Sequence, residues 1–142
     1  MKFEGGCLCG QARYSADDAP LVTGHCYCRD CRRASGTAHC THLALRDVTF
    51  RAIGEIRFFA HPADSGNIVR RGFCPQCGSQ LYSTNDGTPG LVYVRASSLD
   101  DPEAVSPQLS VYASRAPAWD QPPNEIPSFA EMPQAGPPAA RP

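Results

Sequence analysis

Eight cysteines fall in clusters, and their spacing constrains the fold more than any other feature of the chain. Cys7 and Cys9 form C-x-C in GGCLCGQ, and Cys74 and Cys77 form C-x-x-C in GFCPQCGS. Each pair is followed by a glycine, Gly10 or Gly78, which tolerates the backbone dihedrals that turn N–H groups toward sulfur. Two such pairs supply four thiolates for a tetrahedral zinc at about 2.3 Å. The 64 residues between Cys9 and Cys74 do not oppose this, because loop-closure cost rises only slowly with length. A structural zinc on Cys7, Cys9, Cys74 and Cys77 is therefore expected, clamping the start of the chain to its middle. The N-terminus, MKFEGGCLCG, shows no apolar leader region. A cytoplasmic chain is expected, and in that reducing compartment clustered cysteines point to metal rather than disulfides.

The stretch HCYCRDCRRASG carries three cysteines, Cys26, Cys28 and Cys31, in C-x-C-x-x-C spacing. Closing a four-ligand site there requires one more residue. Cys40, His25, His39 and His42 are the rivals. On a strand, Cys40 would share a face with His42, whereas His39 would point the other way. Cys40 also reads as a small buried hydrophobe, and the histidines as hydrogen-bonded residues. The alternative is an open fourth position, the pattern of a catalytic zinc. Three thiolates on a divalent ion make a weak Lewis acid, better suited to a soft ligand such as a thiol. Arg29, Arg32 and Arg33 crowd the same segment and could offset that charge, or grip the carboxylates of a thiol substrate, as could Arg70 or Arg71.

Elsewhere short apolar segments alternate with turn residues about every ten positions, an all-β rhythm. Strands are expected at 11–15, 21–27, 38–45, 55–60, 67–73, 80–84, 91–96 and 108–113. Asp86-Gly87 marks a turn. One short helix is expected at 29–35, capped by Asp30 and stopped at Gly36. Eight prolines fall in residues 117–142, so this segment cannot join a central ladder. Residues 117–130 should lie extended on the domain, pinned by Trp119 and Phe129. The expected organisation is one zinc-binding domain over 1–130 and a Pro-rich disordered tail over 131–142. A net charge of −1 argues against nucleic acid as partner. No apolar run is long enough for a membrane span.

The pieces GGCLCG at 5–10, HCYCRDCRRASG at 25–36, RRGFCPQCGSQL at 70–81, SSLDDPE at 97–103 and AWDQPPNEIPSF at 118–129 occur in the order seen in a known family. By them the sequence resembles the glutathione-dependent formaldehyde-activating family, also named for centromere protein V. The resemblance implies a zinc-bound β-tent of antiparallel sheets and two zinc ions per chain. It places a structural zinc on Cys7, Cys9, Cys74 and Cys77, and a catalytic zinc on Cys26, Cys28 and Cys31. The implied reaction joins glutathione to formaldehyde as S-(hydroxymethyl)glutathione, a carbon–sulfur lyase class. In that reading a small thiol such as glutathione binds the second zinc and attacks the aldehyde. His42, His39 and Tyr27 are the candidate proton donors. Two other classes fit the same cysteines: a binding module with both zincs structural, and a thiol redox sensor that releases zinc on oxidation.

Overall fold

The computed structural model describes residues 2–133. Ten strands form: β1 (Phe3–Gly6), β2 (Arg13–Ala16), β3 (Val22–Cys26), β4 (Cys40–Arg46), β5 (Phe50–Ile53), β6 (Arg57–Pro62), β7 (Ile68–Phe73), β8 (Gln80–Asn85), β9 (Leu91–Arg95) and β10 (Leu109–Val111). Between β3 and β4 lies α1 (Arg29–Ser35); the remaining helical pieces are single 3-10 turns. The molecule is thus mostly β with one short helix. Among the described residues, no helix is long and apolar enough to cross a membrane.

The strands make two sheets, β1-β2-β5 and β10-β3-β4-β9-β8-β7-β6. Every pairing between these strands is antiparallel except β10 with β3. That one parallel pairing has a topological cause. β3 and β9 both run antiparallel to β4, so they point the same way. A chain that leaves β9 and crosses back before re-entering the sheet beside β3 ends up parallel to it, which needs a long connection. Residues 96–108 supply it. They cross the core side, where Leu99 is buried and the Asp100 N–H donates to the Glu4 carbonyl at 2.9 Å.

Alternation along the strands gives the larger sheet two different faces. Leu43 and Leu45 of β4 and Val92 and Val94 of β9 point toward the smaller sheet, where they meet Phe3, Tyr14 and Ala16. Burying each of these large side chains is worth about 1.5–3 kcal/mol. Leu81 joins them through an irregularity: Gly72 pairs with Tyr82 but Phe73 pairs with Gln80, so Leu81 is an extra residue on β8. The opposite face, carrying Gly24, His42, Ala44, Tyr93 and Arg95, lines an open pocket of about 840 Å³.

All eight expected strands form within a few residues of their positions, and α1 spans 29–35 as read from sequence. Its cap differs. Cys28, not Asp30, is the N-cap, and its sulfur accepts the Cys31 N–H. Gly36 ends the helix in the left-handed conformation. β1 and β5 were not anticipated. The first contains Gly5 and Gly6, and the second is largely exposed, so both exist through pairing with β2 rather than through local propensity.

The proline-bearing segment does lie extended on the domain, but Trp119 does not anchor it: its side chain is 73% exposed. Backbone bonds hold the segment instead. Ser110 N–H donates to the Pro127 carbonyl and Phe129 N–H to the Ser110 carbonyl, both at 2.9 Å, while Phe129 is half-buried. Farther on, Tyr112 N–H donates to the Glu131 carbonyl at 3.3 Å. The rest of the expected disordered tail, residues 134–142, lies outside the described residues.

Candidate metal centres and the pocket

The chain folds its cysteines into two groups on opposite sides of the larger sheet. Cys7, Cys9, Cys74 and Cys77 bring their sulfurs within 4.8 Å of one another, and so do Cys26, Cys28 and Cys31. In the first group Cys7 Sγ lies 3.6 Å from Cys9 Sγ, which lies 3.7 Å from Cys74 Sγ. A tetrahedral tetrathiolate with bonds near 2.3 Å has an edge of about 3.8 Å, so the set fits a four-coordinate metal ion.

The knuckles follow from the local sequence. Cys7 directly follows β1 and Cys74 directly follows β7. After them the chain turns back, with Gly10 N–H on the Cys7 carbonyl at 3.2 Å and Gly78 N–H on the Cys74 carbonyl at 2.8 Å. Both glycines have φ near +80° (83° and 80°), a region costly for other residues. The turns aim donors at sulfur: Ala12 N–H at Cys7 (3.3 Å), Cys77 N–H at Cys74 (3.4 Å) and the Gln11 side-chain amide at Cys74 (3.1 Å). The Ser79 hydroxyl, together with the Ser79 and Cys9 backbone N–H groups, holds the Cys77 thiol down at about 5. Cys7 and Cys74 are also part of the core, so this cluster is built into the packing.

The second group sits at one end of the pocket face. Cys26 closes β3, Cys28 caps α1 and Cys31 lies in its first turn. The Cys28 thiol is pulled down to about 2 by hydrogen bonds from Cys26, then Cys31, aided by backbone N–H groups; those same thiol contacts push Cys26 up. Such a proton-sharing set is poised to exchange its protons for a metal cation. All three cysteines line the pocket.

The four rivals for a fourth ligand separate cleanly. Cys40 is buried directly across the sheet from Cys26, yet it does not belong to the group and does not line the pocket. Burial pushes its thiol up. His25 shares a hydrogen bond with the Thr41 hydroxyl at 2.8 Å, and His39 pairs with Asp120 at 2.6 Å. His42 comes nearest, with Nε2 3.5 Å from Cys31 Sγ. Its other nitrogen, Nδ1, faces Arg95 at 3.0 Å. Because a guanidinium can only donate, Nδ1 accepts and Nε2 carries the proton of the neutral ring. His42 therefore offers Cys31 a hydrogen bond. Burial and the neighbouring Arg95 hold its pKa well below the usual 6.5. Of the three candidate proton donors, His42 alone lines the pocket; Tyr27 and His39 pack against each other with tilted rings whose centroids lie 4.9 Å apart.

The arginines divide as well. Arg32 and Arg33 are exposed on α1, and Arg70 forms an ion pair with Asp86. Arg29 and Arg71 line the pocket, and Arg29 lies 3.8 Å from Asp30. Sequence reasoning missed Arg95, only 2% exposed on the pocket face of β9. Its alternation with Val92 and Val94 was legible, but which face of β9 met the core was not.

The family profile described as glutathione-dependent formaldehyde-activating enzyme matches residues 2–115. The chain belongs to this family. Both cysteine groups fall inside the matched span. The crystal structure of a Rhodobacter sphaeroides protein is similar at a TM-score of 0.59 and 16% identity, over 88% of this chain and 98% of that one. At that identity the likeness shows the fold alone. No curated protein matches the sequence.

Proposed function

We propose that the chain is a cytoplasmic zinc enzyme of the carbon–sulfur lyase class, joining a small thiol to an aldehyde, with glutathione and formaldehyde as the leading pair. The supporting observation is the three-cysteine group Cys26, Cys28 and Cys31, which opens onto the pocket with no fourth cysteine sulfur within 4.8 Å of all three among the described residues. In this reading Cys7, Cys9, Cys74 and Cys77 hold a structural zinc, and the three pocket cysteines hold a second. That second zinc, when bound, supplies a site where a substrate thiol loses its proton and keeps its sulfur oriented.

The chain's own residues do the rest. Cys26, Cys28 and Cys31 would hold that ion at the pocket wall, and as only three ligands they would leave room for a substrate sulfur. His42, neutral with its proton at Nε2, keeps that proton and can turn its hydrogen bond from Cys31 toward the oxygen that gains charge as sulfur attacks the carbonyl carbon. In that step the S–H bond breaks and a carbon–sulfur bond forms, the carbonyl π bond opens, and its oxygen takes up from solvent one proton in place of the one the thiol released to solvent. Arg95 keeps His42 in the required tautomer by donating to Nδ1. The pocket volume suits a tripeptide-sized ligand.

Cobalt substitution tests the reading, because ligand-field bands report an added sulfur. Glutathione should shift the bands, and Cys28→Ser should abolish the shift while leaving a folded chain. Cys40→Ser should leave the shift intact. A closed four-sulfur spectrum that opens in Cys40→Ser would overturn the enzyme reading in favour of a zinc-scaffolded binding module.

A further inference from the structure

The pocket holds two guanidiniums that no carboxylate among the described residues neutralises. Arg71 of β7 and Arg95 of β9 both line it. Among the described residues, neither has a carboxylate within salt-bridge distance, whereas Arg115, also lining the pocket, lies 3.0 Å from Asp64. Arg95 is 2% exposed, and its Nη1 reaches only neutral partners: His42 Nδ1 at 3.0 Å, Ser83 Oγ at 3.3 Å and the Tyr93 carbonyl at 3.3 Å. The Nε of Arg95 and the Nε of Arg71 are buried without a hydrogen-bond partner.

Strand register brings the two together. Arg71 lies opposite Ser83, and Ser83 opposite Tyr93, in one row across β7, β8 and β9. The Ser83 hydroxyl meets Arg95, and Ser83 is the cross-strand neighbour of Arg71, so it stands between the two arginines. Both guanidiniums act electrostatically on His42 and on Cys40. Buried cations are costly to keep without an anion, and a planar fork is the donor geometry that a carboxylate matches.

We infer that Arg71, Arg95 and Ser83 form a carboxylate subsite that holds the carboxylate of a thiol acid whose sulfur reaches the Cys26–Cys28–Cys31 group. The inference rests on the proposed thiol reading. It adds a distance rule: Arg95 is separated from Cys31 by a single imidazole ring, that of His42. The carboxylate must therefore lie close to the sulfur. In glutathione that is the glycyl carboxylate, one residue from the thiol, rather than the more distant γ-glutamyl one. The exposed helix arginines Arg32 and Arg33 take no part.

The test separates the subsite from the metal–thiol contact. S-methylglutathione has no thiol to offer a metal. Calorimetric titration of it into zinc-loaded protein should show binding that weakens roughly 10–100-fold when the glycyl carboxylate is esterified. Arg71→Gln should weaken binding of the acid similarly and leave the ester unchanged, and Arg71→Lys should fall between. The Arg71 side chain has no hydrogen-bond partner among the described residues, so its replacement orphans none of them. Equal binding of acid and ester by wild type overturns the subsite, as does undetectable binding of both. So does a glutathione-induced cobalt band shift with the same midpoint in wild type and Arg71→Gln, although the metal–thiol reading would survive it. Arg71-dependent binding of S-methylglutathione without any glutathione-induced cobalt shift would sink the metal–thiol reading and keep the subsite.

Discussion

His42 has one nitrogen committed to Arg95 and the other to Cys31, so its tautomer is set by its neighbours. Adding a second proton would place a cation beside Arg95 and lose the bond that Nδ1 accepts. Burial and Arg95 accordingly hold its folded pKa well below the unfolded value near 6.5, and burial lowers His25 in the same direction. Between the folded and unfolded pKa values the unfolded chain binds the extra proton and the folded chain does not. The contribution to stability is thus complete above about pH 6.5 and is lost as pH falls toward the folded value. Urea midpoints measured at about pH 7.5 and about pH 5.5 should fall on acidification in wild type. The fall should be smaller in His42→Gln, which keeps a donor for Cys31 but does not titrate. An identical fall in both proteins would show that His42 is not buried neutral.

At the scale of single elements, the two turns after Cys7 and Cys74 do the same work with the same residue. Gly10 and Gly78 both lie in the left-handed region, and a Cβ added at either would meet nothing within 4 Å. The cost of alanine there is therefore conformational alone, about 1–2 kcal/mol. Gly10→Ala and Gly78→Ala should each lower folding stability by that amount in urea denaturation. Each should also weaken metal retention against a chelator, because the same turns direct N–H groups at Cys7 and Cys74. The turn that ends α1 makes a contrast. Gly36 has the same conformation and equal room, so Gly36→Ala should cost similar stability without loosening the Cys7–Cys77 group. Loss of metal from that group in Gly36→Ala would break the connection between turn and knuckle.

The whole molecule keeps its two cysteine groups on opposite faces of one sheet. The first includes Cys7 and Cys74, both in the core, and it joins the end of β1 to the end of β7. The second borders an open pocket and is held by one short helix and one strand end. Two bound ions should accordingly leave at different chelator concentrations. Graded chelation followed by metal analysis and circular dichroism should release one ion with the fold intact, and the second only on unfolding. Cys74→Ser should abolish the folded state, because it removes from the proposed structural zinc site a thiol that lies fully within the core. Simultaneous loss of both ions, or a folded Cys74→Ser protein retaining two, would contradict the division of labour.

What could be read from the sequence alone was local. The C-x-C and C-x-x-C spacings, the glycines behind them and the helix over 29–35 depend on contacts between residues a few positions apart, and those contacts are encoded by the residues themselves. Most strands were legible for the same reason, since alternation marks a half-buried strand wherever it lies. β1 and β5 were not, because FEGG and FRAI become strands only by pairing with β2. Alternation says that Val92 and Val94 share one face and that Tyr93 and Arg95 share the other, but only packing against the smaller sheet decides which face is core. That decision turned Arg95 into a pocket residue and set His42 beside Cys31, while Cys40 became the buried cross-strand neighbour of Cys26. The proline-rich segment shows the same division: its extended course follows from composition, whereas its anchorage through the Ser110 backbone, with Trp119 left exposed, depends on where β10 lies. Chain connectivity set that position, because the crossover from β9 carried β10 alongside β3.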